Sequence, residues 1–308
     1  MKVGFKTVGC LAAFLAAQVM AAVPAVVFKP SDARVAFGAA AELVRTCTPR
    51  EAGTAGGRRA ADLIRQQAMR RGLNARLDPF TGQSRDEIRA FVNVVAEIPG
   101  TDPAAPWIVL MSHYDTKSGI AGFQGANDGA STSGLLVALG GALVRAGRRR
   151  ENVCLVWTDG EECRVAYGPS DGFHGSRHLV QQFRAKRRAV KAAICLDMLG
   201  DRDLQIEVPA NGTPGLRHLA KQAAVKAGYP RRLAFQDEFQ VADDHAAFLE
   251  AGYPSIDLID FSYGSVPGRN DYWHTPADTL DKISSSSLFI SGRIVAEFLN
   301  LLETSEVK

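Results

Sequence analysis

A short apolar run that ends abruptly at a group of acidic residues constrains the fold of this chain most. Residues 153–157 are β-branched, apolar or aromatic, which is typical of a strand buried on both faces. The turn signal Asp159-Gly160 ends that strand, so Glu161 and Glu162 lie at its carboxyl end. Adjacent side chains on an irregular segment diverge, and one carboxylate could bind a metal ion while the other faces whatever the metal binds. The alternative is a solvated acidic turn, because most charged pairs are surface residues.

Strand and helix patterns alternate along the rest of the chain. No Pro/Gly/Ser linker is long enough to separate two domains, so we predict a single α/β domain whose central mixed, twisted sheet has helices on both faces. Antiparallel hairpins should come first and parallel crossovers later. Further strands are predicted at 74–78, 89–98, 107–111, 190–197, 204–208 and 255–260. Helices are predicted at 31–47, 58–71, 135–146, 175–186, 214–227, 244–251 and 288–302.

The N-terminus has the layout of a secretory signal peptide. Residues 1–23 combine Lys2 and Lys6 with an apolar run at 8–19 and small residues near the end. The apolar run is shorter than the ~20 residues of a membrane span, and no later apolar run approaches that length. We therefore predict no membrane span. We expect an exported protein, periplasmic or secreted, with its catalytic domain at 24–308. Cys10 leaves a lipid anchor as a weaker alternative.

Charge and cysteine content exclude some classes of protein. Lys and Arg number 36 against 33 Asp and Glu, and no continuous basic stripe with interleaved aromatic residues occurs, so nucleic acid is not expected as a partner. Four cysteines follow the leader. Cys154 and Cys195 lie in apolar strand-like runs, where a thiol behaves as a small hydrophobe. We expect mostly free thiols, with one disulfide left open, and the remaining two are Cys47 and Cys163.

Histidines and acids gather where the predicted strands end. His113 and Asp197 lie at the ends of predicted strands, as Glu161 and Glu162 do, and Asp243 immediately precedes a predicted helix. Sites in open α/β sheets form beyond the carboxyl ends of the strands. Asp128 and His274 are predicted in loops. His and carboxylate ligands at no fixed spacing suit a zinc ion held by distant segments.

These residues stand in motifs that resemble a known family. In order they are HYD at 113–115, GANDGA at 125–130, DGEE at 159–162, LDMLG at 196–200, DDH at 243–245 and WHT at 273–275. The set is similar to the zinc exopeptidase superfamily of co-catalytic aminopeptidases, and within it more similar to the glutaminyl-peptide cyclotransferases. The resemblance covers roughly residues 50–303.

The resemblance implies a role for each matching position. Asp128, Glu162 and His274 would bind one zinc ion, and Glu161 would act as the catalytic acid/base. Asp197 and Asp243 would form a carboxylate network beside the substrate, and Asp243 precedes the Asp-His pair where the hydrolases usually have Ser. The substrate would contact Trp273 and Tyr167. In the two-zinc aminopeptidases, His113 and Asp197 would instead bind the second metal.

The implied reaction is cyclisation of an N-terminal Gln of peptides or proteins to pyroglutamate, with release of ammonia. The alternative is hydrolysis of N-terminal residues by an aminopeptidase, in which Glu161 would activate water. The chain departs from the animal cyclases at four positions. They are Gly129 for Ser, Tyr167 for Trp, Ala242 for Gln and Asp257 for His.

Overall fold

A mixed sheet of eight strands runs through the computed structural model, which describes residues 24–307. Its strands are β1 (Ala75–Ser84), β2 (Glu87–Ile98), β3 (Trp107–His113), β4 (Asn152–Thr158), β5 (Val190–Asp197), β6 (Ile206–Val208), β7 (Leu233–Phe235) and β8 (Ser255–Ile259). The order across the sheet is β1-β2-β4-β3-β5-β8-β6-β7. The β1–β2 and β2–β4 pairs are antiparallel, and β4, β3, β5 and β8 are parallel. The carboxyl ends of these four central strands therefore meet at one edge.

Within residues 24–307, seven α-helices cover the two faces of the sheet. They are α1 (Pro30–Cys47), α2 (Ala55–Met69), α3 (Thr132–Ala146), α4 (His174–Ala185), α5 (Pro214–Ala227), α6 (Asp244–Glu250) and α7 (Ser285–Thr304). On β3, Ile108 and Leu110 pack in the larger core cluster with α1, α2, α3, α5 and α7, whereas Val109 and Met111 pack with α4 and α6. This alternation follows from the two-residue period of a strand and buries both faces.

The predicted fold class is confirmed, and most predicted elements lie within a few residues of those observed. The hairpin differs most, because β1 continues to Ser84 instead of ending at Asp78 and pairs with β2 over its whole length. The end of β1 is polar and half-exposed, a pattern that indicates a turn. The hydrogen bonds to β2 nevertheless satisfy the backbone groups of this end. The short strand β7 was not predicted and lies in the segment expected to be loop before Asp243.

The part of the chain that the structure describes contains one helical segment long and apolar enough to cross a membrane. It is Ala126–Ala146, which includes α3, and 83% of its most apolar window is buried inside the fold. No segment of this length and hydropathy after the leader was predicted from the sequence. Burial of this segment inside the fold is typical of the core helix of a globular domain and explains its apolar character. Cys47, Cys154, Cys163 and Cys195 are all buried and free. The predicted leader at 1–23 lies outside the described residues and stays a prediction.

Candidate active site

A cavity of about 200 Å³ opens at the edge where the central strands end. Segments far apart in sequence line it: the turn before α3, the loop after β4, the end of β5, the segment before α6 and the loop after β8. The predicted site residues on its wall are Asp128, Glu161, Glu162, Tyr167, Asp197, Asp243, Trp273 and His274. His113 lies behind this wall, in contact with Asp128 and Asp197. The structure therefore brings all nine predicted residues together.

Asp128, Glu162 and His274 form a group of donor atoms suited to a metal ion. Nε2 of His274 lies 3.0 Å from Oε1 of Glu162 and 3.4 Å from Oδ2 of Asp128. Tetrahedral zinc with bonds of about 2.0–2.1 Å separates its ligand atoms by roughly 3.3 Å, so the spacing fits. Oδ2 of Asp128 is buried without a hydrogen-bond partner, as expected of an atom that faces an ion. The one nitrogen and two carboxylate donors thus fit zinc.

A second group of donors shares Asp128. Nε2 of His113 lies 3.1 Å from Oδ1 of Asp128 and 3.1 Å from Oδ1 of Asp197. The two oxygens of Asp128 therefore face two different histidines. Burial opposes the charge on His113, yet Asp197 and hydrogen bonds to the surrounding carboxylates raise the pKa of His113 well above its ordinary value. Gly129 permits this approach, because a Cβ there would lie 2.5 Å from Nε2 of His113.

The backbone at Glu161 and Glu162 is fixed from one side by Asp115. Its two carboxylate oxygens accept hydrogen bonds from the amides of Glu161 at 3.3 Å and Glu162 at 3.2 Å. Glu162 then meets His274, while Glu161 lines the cavity and is not a member of the three-donor group. Burial, and next the charge of Glu162, raises the pKa of Glu161 well above its ordinary value. The two adjacent acids therefore occupy different environments.

Asp243 lies at the cavity wall immediately before α6. One oxygen accepts the amide of Asp244 at 2.5 Å, and the other has no hydrogen-bond partner. Burial, followed by the charge of Asp197, raises the pKa of Asp243 well above its ordinary value. Burial also raises the pKa of Asp197. The contact with His113 acts in the opposite direction and lowers it. A proton shared between Asp197 and Asp243 stays a prediction.

Two aromatic side chains flank the metal-binding group. The indole of Trp273 stacks on His274, and the ring of Tyr167 stacks on Phe173 at 4.7 Å. The Tyr167 hydroxyl donates to Oε2 of Glu162 at 3.3 Å. Burial raises the pKa of Tyr167 well above its ordinary value, so the phenol keeps its proton for this hydrogen bond.

Sequence reasoning missed four residues that support the site. Asp278 accepts the amides of Asn127 and Asp128 at 2.8 and 3.2 Å. The buried guanidinium of Arg50 donates to the carbonyls of Tyr114, Gln124 and Gly125, the last within the segment that leads to Asp128. Nζ of Lys117 lies 3.6 Å from Glu162, and Asp115 holds both glutamates. Asp115 and Asp278 stand in or just after the HYD and WHT motifs, which is the signal that could have found them.

Comparison with known proteins places this arrangement in a family. The model of peptidase family M28 matches residues 93–299, a range that contains every predicted site residue. The chain belongs to peptidase family M28.

Named relatives refine that placement. The chain is 31% identical over 262 residues to the glutaminyl-peptide cyclotransferase-like protein of Mus musculus, an alignment that covers 76% of this chain and 66% of the mouse protein. It thus spans just under two thirds of that relative. The crystal structure of an Acidobacteriales bacterium glutaminyl cyclase superposes with a TM-score of 0.81 at 32% identity, covering 89% of this chain and 95% of the other. These similarities group the chain with the glutaminyl cyclases within the family.

A protein named as an aminopeptidase has a similar fold. A leucine aminopeptidase precursor from Bacteroides thetaiotaomicron superposes with a TM-score of 0.75 at 21% identity, covering 88% of this chain and 98% of that protein. At this identity the likeness concerns the fold alone.

Proposed function

We propose that this protein is a zinc-dependent glutaminyl-peptide cyclotransferase, which converts the N-terminal Gln of peptides or proteins to pyroglutamate and releases ammonia. The observation that carries the proposal is the cavity in which Glu161 stands beside the group formed by Asp128, Glu162 and His274. Similarity to glutaminyl cyclases over most of the chain supports it. Fold alone would not, because one fold hosts many activities.

The shape of the cavity suits the end of a peptide chain. Its volume of about 200 Å³ is below the ~300–1,000 Å³ of pockets for drug-sized ligands, so it suits a single residue. Trp273 and Tyr167 supply an apolar wall for the methylene groups of a glutamine side chain. The buried carboxylates of Asp197 and Asp243 would attract the α-amine of the substrate and orient it.

Asp128, Glu162 and His274 would hold the zinc ion. When bound there, zinc supplies a Lewis acid that polarises the γ-carbonyl of the substrate. Glu161 would accept a proton from the α-amine as this nitrogen attacks the γ-carbon, and would then deliver it to the departing amide nitrogen as ammonia leaves. The raised pKa of Glu161 suits this exchange, because an acid/base works best with a pKa near the working pH. Asp115 keeps the backbone of Glu161 in place during both steps.

A second candidate function is hydrolysis by an aminopeptidase, favoured by the donor group of His113, Asp128 and Asp197. Their ligand atoms lie within 4.8 Å of one another and are buried, and Gly129 leaves room for His113. Asp128 belongs to both donor groups, and metal ions held by them would supply Lewis acids suited to the activation of water at a peptide bond.

A paired assay distinguishes these functions. Purified protein is incubated with a Gln-initiated peptide and, separately, with a Leu-initiated chromogenic amide, while ammonia and amine release are measured. The proposal expects ammonia from the first substrate and no amine from the second. Amine release from the Leu substrate without ammonia from the Gln peptide would establish the aminopeptidase instead.

The cellular location belongs to the same proposal. The basic and apolar character of residues 1–23 supports export to the periplasm or the medium. Peptide and protein N-termini would then be met outside the cytoplasm.

A further inference from the structure

A third group of buried donor atoms lies behind the cavity, between β5, β8 and the start of α6. Cys195 and Asp257 are paired in register on the two parallel strands, and Asp243 immediately precedes α6. The Cys195 thiol and one carboxylate oxygen each from Asp243 and Asp257 lie within 4.8 Å of one another. Strand pairing therefore sets a thiol and a carboxyl side by side, and the helix start adds a second carboxyl.

Asp257 has no partner within the described chain that accounts for its burial. Its side chain is 0% exposed, and neither oxygen accepts a hydrogen bond of normal geometry. One oxygen of Asp243 is also without a partner. A buried carboxylate without a partner is costly, so these oxygens require a cation or a proton.

The neighbouring His245 does not supply that cation. The amide of Asn211 is oriented by Val241, whose carbonyl accepts from Nδ2 at 2.8 Å and whose amide donates to Oδ1 at 3.4 Å. Nδ2 therefore donates to Nε2 of His245, and the imidazole proton is on Nδ1, 4.0 Å from Asp257. Because Nε2 accepts a hydrogen bond, the ring carries one proton and is neutral, and Nδ1 is too far from Asp257 to donate a hydrogen bond to it.

Other carboxyl groups surround the same point. The charges of Asp243, Asp197 and Asp244 all act on Asp257, and all four side chains are buried. His113 contacts Asp197 at 3.1 Å and belongs to the candidate active site. A divalent cation beside Asp257 would compensate this excess of negative charge.

We propose that Cys195, Asp243 and Asp257 bind a divalent cation of the zinc class, separate from the site at Asp128, Glu162 and His274. A thiolate with carboxylates selects zinc-like ions, whereas magnesium and calcium prefer oxygen ligands alone. Asp243 lines the cavity, so the ion enters from that side. Once bound, it joins β5, β8 and the start of α6 and fixes the orientation of Asp243.

Cobalt binding tests the proposal because its absorption reports sulfur ligands. Metal-free protein is titrated with Co²⁺, and the near-ultraviolet thiolate-to-cobalt absorption is recorded together with the number of ions bound. The donors of the candidate active site are nitrogen and oxygen only, so this absorption would come from a cysteine. We expect it in the wild type and expect Cys195→Ser to abolish it. Cys154→Ser is the matched control, a buried thiol in the same core cluster, and should retain it.

Asp257→Asn keeps the test decisive if Cys195→Ser does not fold. It should lose the sulfur absorption and about one equivalent of bound Co²⁺, with an unchanged circular dichroism spectrum. Cys163→Ser should behave as the wild type, although Cys163 is adjacent to Glu162. No sulfur absorption in the wild type, its loss with Cys163→Ser but not Cys195→Ser, or full binding by Asp257→Asn would overturn the proposal.

Discussion

The indole of Trp273 lies against the imidazole of His274, with ring centroids 3.9 Å apart and planes 22° apart. Phe261 packs on Trp273 at 5.1 Å, and Phe239 packs on Phe261 at 5.8 Å, so an aromatic series leads from the solvent to a proposed zinc ligand. Stacking restricts rotation of the imidazole whose Nε2 faces Asp128 and Glu162. Trp273 therefore both orients a proposed ligand and forms the cavity wall.

Replacing Trp273 should weaken substrate binding more than it affects the bond-making step. We expect Trp273→Ala to raise KM for a Gln-initiated peptide by about 2- to 10-fold, the factor that corresponds to ~0.5–1.5 kcal/mol for an aromatic contact. Trp273→Phe retains a stacked ring and is the control, with a smaller change. Steady-state kinetics measure both. An unchanged KM in Trp273→Ala would contradict a role in the wall.

Removal of one proposed ligand should remove the metal. His274→Ala leaves two carboxylates and no nitrogen donor in the group, so we expect severe loss of bound zinc by elemental analysis of the purified protein. Asp128→Ala and Glu162→Ala should act in the same direction. His218→Ala, at an exposed histidine on α5, is the control. The assignment is wrong if each of the three variants keeps its full metal content.

Glu161 should matter for turnover and not for metal binding. Glu161→Gln keeps the size of the side chain but cannot transfer a proton, and a general acid/base typically contributes ~10²–10⁴-fold to the rate. We expect a loss of that order in kcat with zinc retained. Measuring kcat and zinc content on the same preparation separates the two glutamates, since loss of zinc would mean that their roles are exchanged.

The number of zinc ions required for activity distinguishes the two candidate functions. If Asp197 shares a proton with Asp243, the group of His113, Asp128 and Asp197 is a poor metal site, and cyclisation should be complete at about one equivalent of zinc. Zinc is titrated into metal-free protein while Gln cyclisation and Leu-amide hydrolysis are assayed together. Because the site proposed at Cys195 could take up the first zinc ion, the titration is made on Cys195→Ser, and activity, not total binding, is the readout. Cyclisation that appears only after a second equivalent would argue against the cyclase.

The contribution of Asp260 to the free energy of unfolding should fall as the pH rises. Burial raises the pKa of Asp260 to about 8, whereas an unfolded chain gives about 3.9. Between these values the folded state keeps a proton that the unfolded state releases. The free energy of unfolding therefore falls as the pH rises through this window, by up to about 1.4 kcal/mol per pH unit.

Asp260→Asn should remove this contribution, because an amide does not titrate. Urea unfolding at several values between pH 5 and pH 8 should show that the variant loses less stability than the wild type as the pH rises. The amides of Gln205 and Ser262 donate hydrogen bonds to the two oxygens of Asp260, and an asparagine keeps only one of these acceptors. The variant should therefore also be less stable by an amount that does not depend on pH. Asp203→Asn, at an exposed acid nearby, should run parallel to the wild type. Parallel curves for Asp260→Asn would contradict the prediction.

Local patterns in the sequence are enough to predict the α/β class and the positions of its chemistry. The apolar run before Asp159 and the helical spacing of apolar residues report burial one element at a time, and burial of strands on both faces requires helices on both sides. The ordered motifs around His113, Glu161 and His274 also predicted the family. These features depend on residues that are near each other in the chain.

Only the tertiary structure decided which side chains meet. Pairing with β2 extends β1 to Ser84, and no local pattern in a polar segment reports a ladder to another strand. The two oxygens of Asp128 face His113 and His274 because the turn before α3 lies between the end of β3 and the loop after β8. Cys195 meets Asp257 through the register of β5 and β8, and a register is a relation between distant segments that neither segment encodes alone.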